Sequence, residues 1–257
     1  MPQELPAEPL RRLRVLVDRS RRKTSVRFQV GFVRAEADGV APPLAELVRA
    51  GEVRLKLHLV LAMMATKSPF ELDDPPAAHW FAGLLDLPDP DINGARRVNE
   101  AMTWLHENGF IVRTRRKGKP PHIRVTHHGS VSAAGGRYVQ APISLWQEGF
   151  LLALSGRALA LYLILREASG GSKTHSATLS GGRKAQYGLS EDTWGRAAGE
   201  LEGAGLLQVE EVFARASSKD EYGPKRRRRR YTLVSPEVLA LGPVALRMIN
   251  SSDGPSR

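Results

Sequence analysis

Two stretches decide how this chain reads: Trp194-Gly195-Arg196-Ala197-Ala198-Gly199-Glu200-Leu201-Glu202-Gly203-Ala204-Gly205-Leu206-Leu207 and, 96 residues earlier, Val98-Asn99-Glu100-Ala101-Met102-Thr103-Trp104-Leu105-His106-Glu107-Asn108-Gly109-Phe110-Ile111. They align without a gap. In each, apolar residues fall at i, i+3, i+4 and i+7 (Trp194, Ala197, Ala198, Leu201; Val98, Ala101, Met102, Leu105), the spacing of one buried helical face. A glycine four residues beyond the last apolar position, Gly205 or Gly109, suits a left-handed helix end. A short strand-like run follows each time.

The repeat continues upstream. Leu57-His58-Leu59-Val60-Leu61 resembles Leu161-Tyr162-Leu163-Ile164-Leu165 at an offset of 104, so copy one holds eight more residues, part of them in the Pro88–Asp91 loop. These leucine runs alternate like strands, but Ser155 can cap the second and its apolar pattern runs on to Gly170-Gly171, which favours helix in both copies. Each copy therefore predicts helix, helix, helix, strand, basic loop, strand. In copy one these are 54–66, 77–85, 94–107, 110–114 and 122–126, with the basic loop at 115–121. In copy two they are 155–169, 181–187, 191–204, 206–214 and 229–234. The fold class expected is mainly α with small β-hairpins (α+β), in two similar tandem units.

The boundaries follow from composition. A basic N-terminal arm or hairpin occupies 1–50, the first unit 51–129, the small-residue linker 130–137, the second unit 138–235 and a tail 236–257. Val26, Phe28, Val30 and Phe32 alternate and predict a strand or hairpin ending near Asp38-Gly39. Leu44–Val48 predicts a short helix, and Pro236–Leu241 another. The segment from Arg11 to Lys23 reads as an arm following DNA, an amphipathic helix or a self-association element.

With 38 basic against 27 acidic residues the formal net charge is +11, which points to a polyanionic partner. The excess is concentrated in Arg11–Arg27, in Arg113–Arg124 and in the unbroken run Lys225–Arg230. The chain has no cysteine, which excludes disulfides, thiolate nucleophiles and Cys-ligated metals. It offers no signal-peptide core and no stretch of eighteen apolar residues, so the expected compartment is the cytoplasm, with no membrane partner.

Tyr187-Gly188-Leu189-Ser190-Glu191-Asp192-Thr193-Trp194 followed by Leu201–Leu207 resembles the turn, recognition helix and wing entry of the winged helix-turn-helix family. Asp91–Arg97 with Trp104–Ile111 is similar in copy one. The resemblance covers about 54–126 and 141–234. As a tandem pair the chain resembles both winged-helix regulators of actinobacteria and the tandem winged-helix replication initiators of plasmids. The resemblance implies that the third helix of each copy enters a major groove of double-stranded DNA and that the wings meet phosphate or a narrow minor groove. The residues implied in copy one are Asn93, Arg96, Arg97 and Asn99 on the helix and Arg115, Arg116, Lys117 and Lys119 on the wing. In copy two they are Ser190, Thr193, Arg196 and Lys225, Arg226, Arg227, Arg228, Arg229 and Arg230. Arg and Asn suit bidentate contacts with guanine and adenine.

Other readings weigh less. Glu191, Asp192, Glu200 and Glu202 in the third helix of copy two fit a protein-interaction module, and a homodimer or protein partner stays open. Trp80, Trp104, Trp146 and Trp194 read as core. His122, His127 and His128 have no carboxylate beside them in sequence, so no metal is expected. Gly170-Gly171-Ser172-Lys173-Thr174 lacks the glycines of a phosphate loop, and no nucleophile elbow or triad is present. The expectation is a non-enzymatic DNA-binding protein without cofactor, a transcriptional regulator before a plasmid-type initiator.

Overall fold

A computed structural model describes residues 7–36, 40–127, 137–170, 175–214 and 226–236. The chain is α+β, and its order of elements repeats once.

The first pass opens with strand β1 (Ser25–Gln29), short helices α2 (Val30–Val33) and α3 (Pro43–Ala50), and the buried helix α4 (Glu52–Met64). Strand β2 (Glu71–Leu72), helix α5 (Ala78–Leu84), a π-turn at Pro90–Gly94 and helix α6 (Ala95–Glu107) follow, then strands β3 (Ile111–Arg116) and β4 (Lys119–Val125). The second pass gives β5 (Tyr138–Pro142), α7 (Ser144–Gln147), α8 (Phe150–Ala153), α9 (Gly156–Ala168), β6 (Ser176–Thr178), α10 (Gly181–Ala185), α11 (Glu191–Gly203), β7 (Leu207–Ala214) and β8 (Arg226–Leu233). Residues 25–50 thus stand before α4 as 138–153 stand before α9. One helix precedes both passes, α1 (Ala7–Ser20).

Each long helix follows from its pattern. α4 and α9 are buried almost all round, from Leu55 to Met63 and from Ala158 to Leu165, which is why their leucine runs show no polar face. They pack against each other so closely that a Cβ on Gly156 would stand 3.4 Å from the Glu52 backbone. Lys56 on α4 reaches to α8 beside it, its ammonium 2.9 Å from the Leu152 carbonyl oxygen, and pairs along its own helix with the Glu52 carboxylate at 2.6 Å. α6 and α11 are one-sided and turn Val98, Ala101, Met102 and Leu105, or Trp194, Ala197, Ala198 and Leu201, inward. Both end identically. Gly109 (φ 75°) and Gly205 (φ 71°) are left-handed, and the Phe110 and Leu206 amides donate back to Leu105 and Leu201 at 2.8 and 2.9 Å.

Among the described residues three antiparallel sheets result, with strand orders β1-β5, β2-β4-β3 and β6-β8-β7. The β1-β5 pair sets Phe28 opposite Val139 and Val26 opposite Ala141, all buried, and so joins the two passes. One continuous hydrophobic cluster runs from Leu13 to Leu233 through both.

Several expectations are corrected. The alternation at Val26–Phe32 is not a local hairpin: β1 stops at Gln29, Val30 begins α2, and the partner strand is β5. The first basic loop is mostly strand, because β3 runs through Arg116 and β4 begins at Lys119, leaving the two-residue turn Lys117-Gly118 with Gly118 at φ 67°. In copy two β8 begins at Arg226 rather than Arg229. Of the three readings of Arg11–Lys23, the amphipathic helix holds: the segment is largely α1, with Leu10, Leu13, Leu16 and Val17 buried. Its arginines are partly spent on docking, since Arg12 donates to the Trp80 carbonyl (3.2 Å) and Arg14 to that of Gln147 (3.1 Å). Beyond α1, Arg22 caps α4, donating to the Met63 and Ala65 carbonyls at 2.8 and 2.6 Å. Residues 130–136 of the linker, the helix expected after Pro236, and Gly171–Thr174 lie outside the described residues.

Candidate nucleic-acid interface

Burying 98, 101, 102 and 105 forces the rest of α6 outward, so Arg96, Arg97, Asn99, Glu100 and Thr103 are all exposed. They do not form one set. At 100° per residue, Arg96 lies on the outer crest, where its guanidinium is 3.7 Å from Glu100 and 72% exposed. Arg97 turns to the flank and lines a groove with Gly51, Glu52 and Arg54 at the start of α4. Asn99 turns to the other flank, toward the β3-β4 hairpin. Asn93 is not on α6. It sits in the π-turn before it, its side-chain amide donating to Asp89 Oδ2 at 2.8 Å.

The β3-β4 hairpin carries Arg113, Arg115, Arg116, Lys117, Lys119 and Arg124 and no acid. Arg115 and Lys117 are exposed near its turn, and no ion pair holds either among the described residues. Arg116 is used internally: it donates to the Asp73 and Pro120 carbonyls and lies 3.5 Å from the Asp73 carboxylate. That clasp holds the hairpin to the chain beyond β2. The side chain of Lys119 lies outside the described residues.

In copy two the expected hydroxyls are already occupied. Ser190 Oγ accepts from the Thr193 amide (3.1 Å) and donates to Thr193 Oγ1 (2.9 Å), which makes Ser190 the cap of α11. Arg196 pairs with Asp192 at 3.0 Å, and Glu191 with Lys184 at 3.0 Å. Glu200 ties α11 to the start of α9, accepting from the Ser155 amide and hydroxyl at 2.6 Å each. With one arginine against four acids, α11 is a negative face and α6 is not.

The copy-two hairpin is where its cations lie. Side chains alternate across a strand, so Arg228 and Arg230 share one face of β8, and Arg227 and Arg229 share the other with Tyr231, while the side chain of Arg226 lies outside the described residues. β7 sets Glu210 opposite Arg230 and Glu211 opposite Arg229, and these acids pair with Arg230 (3.8 Å) and with Arg227. Phe213, opposite Arg227, is 71% exposed. Lys225 lies outside the described residues.

The aromatic and histidine expectations divide. Trp146 and Trp194 are buried, whereas Trp80 and Trp104 are only partly so and carry Arg12 (5.7 Å) and Arg54 (5.2 Å) over their rings. His122 does have carboxylate neighbours, Glu71 at 3.5 Å and Asp73 at 4.0 Å, contributed by the β2 segment that the sequence pattern did not reveal. His127 packs between Phe32 and Phe110, and its burial lowers its pKa below the usual histidine value.

Arg113 is the polar residue that the helix-and-wing reading passes over. It alternates with Ile111 on the inward face of β3, a position that the strand expected at 110–114 already implies. No described helix is long and apolar enough to cross a membrane. Set against protein-family models, curated proteins and solved structures, the chain matches none of them.

Proposed function

We propose that this chain binds double-stranded DNA sequence-specifically through two winged helix-turn-helix units and acts as a transcriptional regulator. The observation that carries the reading is in copy one: a helix with Arg96 on its outer crest and Arg97 and Asn99 on its two flanks, beside a two-stranded hairpin with six basic residues and no acid. Exposed Arg and Asn on a helix match the donor and acceptor pattern of major-groove base edges, and an acid-free hairpin matches phosphate. A helix-strand-helix-helix-strand-strand order with a three-stranded sheet, repeated in copy two, supports the winged-helix assignment.

Copy two is engaged differently. Its negative α11 is unsuited to a phosphate backbone, so its share of DNA contact falls to the β8 arginines and α11 remains open to a protein partner. Because the two units share one core, a single chain presents both together. A plasmid-type initiator would use the same geometry, and a cognate site repeated beside the encoding gene, rather than placed once near a promoter, would favour it.

Arg96→Ala should weaken cognate binding by about 1–3 kcal/mol and scrambled-duplex binding much less, because Arg96 stands on the crest of α6. Arg97→Ala, on the flank, should cost less. Fluorescence anisotropy with both duplexes measures this, and equal losses on the two duplexes for Arg96→Ala would mean that α6 reads phosphate only.

The hairpins predict a salt dependence. Replacing Arg115 and Lys117 with Gln should lower the slope of log K against log salt by about 1.8 in magnitude, roughly 0.9 per phosphate contact. In copy two, the alternation of side chains along a strand predicts that the Arg226, Arg228 and Arg230 triple-Gln variant and the Lys225, Arg227 and Arg229 triple differ; one should lower the slope by about 2–3. Equal small losses would make the run a diffuse electrostatic tail, and copy two an interaction module.

A further inference from the structure

We propose that the groove between α6 and the β3-β4 hairpin is a binding site for a small apolar carboxylic acid, with Arg113 as its anion-binding group. The groove encloses about 230 Å³. Pro76, Phe81, Met102 and Ile123 form its walls, and Asn99 and Arg113 are the polar side chains that line it. Drug-sized sites run to roughly 300–1,000 Å³, so the occupant is small, about one ring and its substituent.

Arg113 is placed inward by the strand. It alternates with Ile111 on β3 and stands opposite Ile123, both of them buried. Its backbone amide is used, donating to His106 Nδ1 at 3.4 Å. Its side chain makes no hydrogen bond among the described residues, and because Nε is buried out of reach, the Nη edge is the part of the guanidinium that can meet a ligand. Buried donors are almost always satisfied, and the neighbouring arginine shows the contrast, since Arg116 has its nitrogens on Asp73 and Pro120. No acidic side chain lines the groove to neutralise Arg113. A guanidinium edge pairs with a carboxylate through parallel N–H···O bonds. The remaining wall is apolar, which suits a hydrocarbon ring and disfavours a fully hydrated anion such as inorganic phosphate. The Asn99 amide can donate to the second carboxylate oxygen.

The test is a titration of the full chain with benzoate, benzamide and inorganic phosphate, followed by proton–nitrogen NMR and calorimetry. It contains no DNA, so its result is independent of the DNA-binding reading. Benzoate at up to about 10 mM should bind saturably and shift the amides of Ala78, Met102 and Ile123. Benzamide and phosphate should bind at least about tenfold more weakly. Arg113→Leu should weaken benzoate by at least about tenfold with the spectrum still dispersed. Should that variant fail to fold, Arg113→Lys keeps the charge without the planar edge and should show the same loss in part. No saturable benzoate binding, binding that Arg113→Leu and Arg113→Lys leave unchanged, or benzamide or phosphate binding as tightly as benzoate would each overturn the proposal.

Discussion

Glu167→Gln is expected to lower the unfolding free energy by about 3–5 kcal/mol, because it removes the anion from a buried cluster that holds two cations. The Glu167 side chain is 2% exposed on α9. It accepts from Arg34 at the end of α2 (2.9 Å), from Arg183 on α10 (2.9 and 3.1 Å) and from the Tyr187 hydroxyl (2.6 Å). One carboxylate thus joins the first pass of the chain to two elements of the second. Burial, and then the Glu167 carboxylate, push the Tyr187 hydroxyl well above its usual pKa of 10.0. A raised folded-state value means that Tyr187 contributes its full stability below pH 10 and loses it as alkali ionises the folded group. Arg34→Met should cost less than Glu167→Gln, since Arg183 still neutralises the carboxylate. Urea titration at neutral pH decides the matter, and a loss under about 1 kcal/mol for Glu167→Gln would show that the cluster does not join the two passes.

Leu105→Ala and Leu201→Ala should each cost about 2–5 kcal/mol. Both are completely buried and hold equivalent places, the last inward position of α6 and of α11. Each packs its helix toward the central one, α4 or α9, and truncation leaves a cavity that the left-handed turn just beyond cannot collapse into. The same measurement with either loss below about 1 kcal/mol would contradict the shared helix face.

What was legible in the sequence follows from the physics of each element. α6 and α11 declare themselves because one face is apolar and the other polar, and their left-handed glycines mark the ends. α4 and α9 were ambiguous because helices buried on all sides carry no polar stripe, and only the repeat and the Ser155 cap decide for helix. The edge strands β2 and β6 left no signal: two and three residues long, they exist because β4 and β8 offer a free edge. β1 was visible as an alternating run, but its partner lies far along the chain, and no local pattern names it. At the interface, exposure of Arg96, Arg97 and Asn99 follows directly from the helical period. The uses of Asn93, Arg116 and Ser190 do not: Asn93 and Ser190 are taken up by local turn and cap contacts with Asp89 and the Thr193 amide, and Arg116 by Asp73, which only the folded chain brings near. Composition marks Arg116 and Arg115 alike, yet one clasps the hairpin and the other is exposed with no ion pair among the described residues.

The central claim, that α6 reads DNA sequence, is tested most directly by sequencing the genomic fragments retained by the purified chain and by its Arg96→Ala variant under the same salt. The wild-type chain should enrich fragments sharing one motif, and Arg96→Ala should retain DNA while losing preference at one base pair of that motif. Fragments retained without any shared motif, or a motif that Arg96→Ala leaves intact at every position, would contradict it.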